Sequence, residues 1–255
     1  MHAGTTSLAP ANSTRGEWSQ FATFLKRPVL PARAPMPRLA SLAAVLRLFL
    51  LDVLVMAALL AVAGAVMSSG IEVPKTALAD MEIGADIALA VIFFAPLAEE
   101  FAFRGWLSGR PGHLLAVLLG SLVALGMTVL LFATATGPAE SMGTIGPAAL
   151  KGGTAGLVVA GLTVFLLRDR DAMGWFQRLF PLLFWLSAVG FASVHLFNFK
   201  PEEMMMALPL VLPQFVTGTI LGYLRVNYGL WASVLLHALH NGAFIGLVLL
   251  AGSSA

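Results

Sequence analysis

Seven long apolar stretches, near residues 39–67, 86–110, 113–136, 149–167, 180–199, 206–225 and 228–251, follow one another with only short connectors between them. A helix crossing the hydrocarbon core of a bilayer needs about 20 such residues. In lipid every backbone polar group must also be satisfied inside the structure, which leaves helices or closed barrels. Stretches this long and continuous predict an all-α fold, a polytopic transmembrane helical bundle of about seven spans, six to eight as the segment ends are moved. Composition agrees: 58% of residues are hydrophobic and 11% charged, against about a quarter charged in soluble domains. Residues 39–252 are therefore expected to form one transmembrane bundle.

Ahead of it, residues 1–38 are rich in Pro, Ala, Ser, Thr and Arg and hold no continuous apolar core of a secretory signal. Trp18, Phe21 and Leu25 fall at i, i+3 and i+7, with Lys26 and Arg27 following. Two readings stand for this basic arm: a short helix lying in the membrane interface, or an irregular segment. Of the fifteen Lys and Arg residues, all but Lys75, Lys151 and Lys200 fall in the arm or in connectors and helix ends on the arm's side of seven alternating spans. The positive-inside rule then predicts a cytoplasmic N-terminus. The net charge of +2 gives no reason to expect a nucleic-acid partner, and the absence of cysteine excludes disulfides, thiolate metal sites and cysteine nucleophiles. Gly152 with Gly156, and Gly218 with Gly222, have the spacing of close helix packing. No internal repeat supports a transporter of inverted halves, although buried Glu and His can also relay protons.

Against this background a few polar residues stand out: Asp52, Glu99, Glu100, Arg104, His195, His237, His240 and Asn241, all inside apolar stretches. An ionisable residue costs about 2.5–3.5 kcal/mol at the bilayer centre on insertion scales, so each one needs a reason. On a helix Glu100 and Arg104 share a face and can pair, while Glu99 lies 100° away and is left for neighbouring helices. Phe191 and His195 stack one turn apart. His237 and Asn241 share another face, with His240 beside them. Measured from the expected cytoplasmic helix ends, Glu99, His195 and His237 lie about 16, 22 and 14 Å deep at 1.5 Å per residue, so they can share one level. Asp52 is expected to pair with a basic side chain, Arg47 or one on a neighbouring helix, and His240 either to support the site or to bond a backbone carbonyl.

A carboxylate, two imidazoles and an amide in a water-poor cavity suit amide hydrolysis. Glu99 could act as general base on water and return the proton to the leaving amine. His237 and Asn241 could donate to the oxyanion, and His195 could orient the water. Glu99, His195 and His237 could instead hold zinc with one position open for water. No compact HExxH run is present, and the metal-free version is preferred.

These residues carry a family resemblance. "EEFAFR", "FASVH" and "HALHN" resemble the EExxxR, FxxxH and HxxxN motifs of the CPBP family of intramembrane proteases, which includes CAAX prenyl endopeptidases and bacteriocin-processing or immunity (ABI) proteins. The resemblance implies Glu99 as base, Glu100 and Arg104 as its supporting pair, and His195, His237 and Asn241 as the remaining catalytic residues. It also implies an endopeptidase of a bacterial inner membrane, acting on a membrane-anchored substrate, CAAX-like or processed at a C-terminal signal. One departure is clear. Where the family usually has a short hairpin between its first two motifs, this chain inserts two whole spans, near 113–167. A non-enzymatic alternative keeps the motifs but uses the cavity to bind a peptide, as an immunity or scaffolding protein.

Overall fold

The computed structural model describes residues 9–76, 83–134 and 138–252. The ends of the connector after the first span and of the third expected span lie outside them, as do the first eight residues of the arm. The described residues are all-helical, as expected, and contain no strand. They divide into two compact units, Met1–Leu107 with Arg178–Ala255, and Ser108–Gln177.

In the first unit α1 (Thr14–Lys26) is followed by α2 (Leu39–Ser68), then by a broken segment built from α3 (Ala85–Leu89), a π turn (Ala90–Phe94) and α4 (Ala95–Arg104). Most of α7 (Gly174–Val194) belongs here too. It passes through 3-10 turns and the short α8 (Met204–Ala207) into α9 (Leu212–Asn227) and α10 (Leu230–Gly252). Gly229, at φ +105°, supplies the left-handed residue that lets the chain reverse between α9 and α10. The α10 helix packs against α2, α4, the π turn and α9.

Among the described residues six helices are long and apolar enough to cross a membrane. The seventh expected span, 86–110, is the broken one. Its π turn, Pro96 and three ionisable side chains interrupt what the sequence presents as one apolar run.

The arm is helical from Thr14, capped by Ser13, whose Oγ accepts from Gly16 N at 3.1 Å. Its buried face is formed by Glu17, Phe21 and Phe24. Phe21 and Phe24 meet Tyr223 edge-on at 5.4 and 5.1 Å, and Phe24 also meets Phe184. Glu17 is fully buried yet satisfied, accepting from Tyr228 Oη at 2.6 Å, Tyr223 Oη at 3.4 Å and Ala11 N at 3.0 Å. Burial and the neighbouring Tyr223 and Glu17 push the Tyr228 hydroxyl well above the ordinary phenol range. Trp18 donates to Arg47 O at 2.8 Å, while the Arg47 guanidinium returns to Ala11 O and Asn12 O. Arg47 is thus spent on the arm, and the expected Arg47–Asp52 pair does not form.

The second unit is a hairpin of α5 (Pro111–Ala133) and α6 (Pro138–Leu166). Its seam runs through Gly152 and Gly156: a Cβ on Gly152 would collide with Thr128 and Ala124, and one on Gly156 with the Gly120 carbonyl and Ala124. The backbones are that close because neither position carries a side chain. The second glycine pair also packs. A Cβ at Gly222 would lie 2.8 Å from the Phe184 ring, and one at Gly218 would lie 3.2 Å from Arg104 Nη2 and from Phe191.

Candidate active site

Glu100 is the centre of the polar interior. Its helix places Arg104 one turn on, and Arg104 Nη1 donates to Glu100 Oε1 at 2.8 Å with both side chains fully buried. Ser233 and His237, one turn apart on α10, reach the same carboxylate: Ser233 Oγ donates to Oε2, and His237 Nδ1 lies 2.9 Å from Oε1. A carboxylate already receiving the guanidinium can only accept from the imidazole, so His237 Nδ1 carries a hydrogen. In the neutral ring Nε2 is then an acceptor, which differs from the donor role expected of His237.

Arg104 is held on three more sides. Its Nη2 donates to Gly218 O at 3.4 Å, and its Cζ lies 3.9 Å above the centre of the Phe191 ring, a cation–π contact in a dry setting. The carbonyls of Arg104 and Gly105, at the end of α4, receive Arg225 Nε and Nη2, each at 2.8 Å. Arg225 therefore closes the C-terminus of the helix bearing the two glutamates. In sequence it reads as one more basic residue at a helix end.

Phe191 gathers the rest. Its ring meets His195 at 4.8 Å and His237 at 5.5 Å, both edge-on. His195 sits where α7 gives way to a 3-10 turn, and its Nδ1 donates to Phe191 O at 2.7 Å, serving a carbonyl of the last helical turn. This fixes its tautomer and leaves Nε2 as an acceptor.

Glu99 behaves unlike its neighbour. Its side chain is 31% exposed, and its Oε2 faces His237 Nε2 at 3.8 Å. That oxygen is itself buried and has no hydrogen-bond partner among the described residues. Two acceptors that close, with nothing donating between them, define a place where a donor belongs. Asn241, one turn beyond His237, is committed elsewhere: its Nδ2 donates to Val91 O in the π turn at 2.8 Å. The structure thus brings Glu99, Glu100, Arg104, His195 and His237 around Phe191, with Asn241 at the margin.

Beside this cluster lies a second polar group. His240 Nδ1 bonds Asp52 Oδ2 at 2.6 Å, and Thr217 Oγ1 donates to Asp52 Oδ1 at 2.7 Å. His240, on the neighbouring α10, is the basic partner of Asp52, and its bond goes to a carboxylate and not to a backbone carbonyl. Ser233, Arg225 and Thr217 were not singled out from the sequence. Ser233 could have been, because Ser233, His237 and Asn241 recur every four residues on one helix face.

Among the described residues no three His, Asp or Glu side chains are grouped closely enough to hold a metal ion. His237 Nδ1 and His195 Nδ1 are both engaged, which leaves the two Nε2 atoms as acceptors, and Glu99 Oε2 faces His237 Nε2 at 3.8 Å.

The described residues thus form a bundle of long apolar helices around a buried Glu–Arg–His cluster, with Glu99 beside it. The sequence model described as type II CAAX prenyl endopeptidase Rce1-like matches residues 85–174 and 161–243, which hold all three motifs. The chain belongs to this family, a family of membrane proteases, as the motif resemblance implied. No curated protein and no solved structure matches it.

Proposed function

We propose that the chain is an intramembrane endopeptidase that hydrolyses a peptide bond of a membrane-anchored substrate with water activated by Glu99. The observation that carries this is the unsatisfied Glu99 Oε2 facing His237 Nε2 at 3.8 Å. A water between them donates one hydrogen to each acceptor and leaves a lone pair for the scissile carbonyl carbon. As the C–O bond forms, Glu99 takes its proton. When the C–N bond breaks, Glu99 passes that proton to the departing amine. The second water hydrogen stays on the attacking oxygen, hydrogen-bonded to His237 Nε2, until the product acid ionises and passes it to that nitrogen.

Glu100 plays the part of the carboxylate in a serine-protease triad, fixing the His237 tautomer and stabilising the ring when it is doubly protonated. Only in that state can His237 donate to the oxyanion. Arg104 and Ser233 hold Glu100, and Phe191 holds the rings. His195, with Nε2 as an acceptor, borders the cavity from α7. This chemistry uses no metal.

The substrate is a CAAX-like or C-terminally processed chain, and the membrane a bacterial inner membrane with the arm in the cytoplasm. The distribution of basic residues supports that orientation, although Arg104 and Arg225 are spent inside the bundle. The test is Glu99→Gln in the purified full chain with a farnesylated CAAX peptide. Loss of about 10²–10⁴-fold in rate with an unchanged fold is expected. Full turnover by Glu99→Gln would sink the mechanism. A cellular phenotype that survives this substitution while the wild-type protein cleaves nothing would favour the peptide-binding alternative.

A further inference from the structure

The π turn just before the catalytic helix has a cause in the sequence and a clamp in the structure. Ala95 N–H donates to Ala90 O, five residues back, so the turn is one residue wide of the α register. The next carbonyl, that of Val91, would in this register be served by residue 96. Residue 96 is proline and has no N–H. Val91 O is therefore left without a donor from its own helix. Asn241 Nδ2 supplies the missing bond at 2.8 Å.

The consequence reaches Glu99. A π turn inserts one residue and so rotates everything after it by about 100° relative to everything before. Glu99 and Glu100 lie three and four residues beyond Pro96. The face they present to His237 depends on the wide turn being kept where it is. Asn241 lies on the same helix as His237, one turn away, so one rigid element holds both the imidazole and the clamp.

We propose that Asn241 is a positioning residue, a side-chain substitute for the backbone N–H that Pro96 removes, which locks the π turn and so aims Glu99 at His237. Its action on catalysis rests on the hydrolytic reading above, but the clamp itself does not. This role differs from donation to the oxyanion, the role expected from the sequence.

The two roles separate in a double-substitution cycle on the full chain in detergent. Asn241→Ala should lower Tm by about 3–8 °C through an unsatisfied buried carbonyl. In a Pro96→Ala background the same substitution should cost less than half of that. Alanine at 96 restores an N–H that can serve Val91 across the wide turn, or lets Ala95 return to Val91 in the α register. Equal Tm losses in both backgrounds would overturn the clamp.

Hydrogen exchange gives a second reading that needs only Asn241→Ala. Faster exchange confined to about residues 90–97 is expected, and unchanged protection there would also overturn the proposal. With a farnesylated CAAX peptide, Asn241→Ala should lower kcat about 10–100-fold and move the acid limb of the pH profile, because the surroundings of Glu99 change. A kcat loss with an unmoved limb would return Asn241 to direct contact with the oxyanion. If the wild-type chain cleaves nothing, the hydrolytic reading fails while the Tm cycle and the exchange pattern still judge the clamp.

Discussion

The hairpin of α5 and α6 and the bundle around α10 meet the same difficulty by opposite means. Lipid tails are as apolar as leucine, so burying an apolar face against another helix gains little, and association must come from close packing or polar bonds. The hairpin uses closeness: Gly152 and Gly156 bring the backbones into contact, and within the unit Thr128 Oγ1 bonds its own helix at Ala124 O. The bundle uses charge. Glu100, Arg104, Ser233, His237 and Arg225 on one side, and Asp52, Thr217 and His240 on the other, knit four helices through side chains. A small-residue seam can only hold. A polar interior can also leave a group such as Glu99 with an oxygen that no described residue satisfies.

If this contrast is right, the largest stability loss comes from removing a charge. Arg104→Ala leaves Glu100 buried without its guanidinium, and a loss of about 3–5 kcal/mol is expected by SDS titration of unfolding. Gly156→Val should cost about 1–3 kcal/mol or more, confined to the hairpin and visible as faster exchange in α5 and α6 alone. Equal damage from the two would break the contrast. Asp52→Ala strips His240 and Thr217 of their acceptor and should cost about 1–3 kcal/mol in the same titration. It should spare the hairpin.

The contribution of Tyr228 to docking the arm depends on pH in a fixed direction. Its folded-state hydroxyl holds its proton to higher pH than the ordinary value of 10.0. The stabilisation is therefore complete below pH 10 and declines as the pH rises beyond it. Tyr228→Phe should lessen that decline, measured by the Trp18 environment or by proteolysis of the arm. The smallest effect is expected at Gly153, beside the seam but with nothing within 4 Å of a would-be Cβ. Gly153→Ala should change stability by no more than about 0.5 kcal/mol.

Much of this was legible in the sequence, for reasons that can be named. Continuous apolar runs dictate helices because backbone groups in lipid have no other partner, and the spacing of Glu100 and Arg104 dictates their pairing because four residues are nearly one turn. The three motifs identified the family. The arm was less legible. Trp18, Phe21 and Leu25 suggested one face, whereas Phe21 and Phe24 with Glu17 form the buried one, because Tyr223 and Tyr228, some two hundred residues away, supply both rings and hydroxyls.

What the sequence determined by itself is whatever one helix can decide: where apolar runs begin and end, which side chains share a face, and that Pro96 must leave a carbonyl unserved. Only the tertiary structure decided which helix answers each need. His237 went to Glu100 at its Nδ1, Asp52 to His240 and not to Arg47, Arg225 to the end of the helix bearing the two glutamates, and Asn241 to Val91. Those choices turn on the relative rotation and depth of separate helices. Periodicity within one helix carries no information about either, since any rotation of a neighbour leaves its own pattern unchanged.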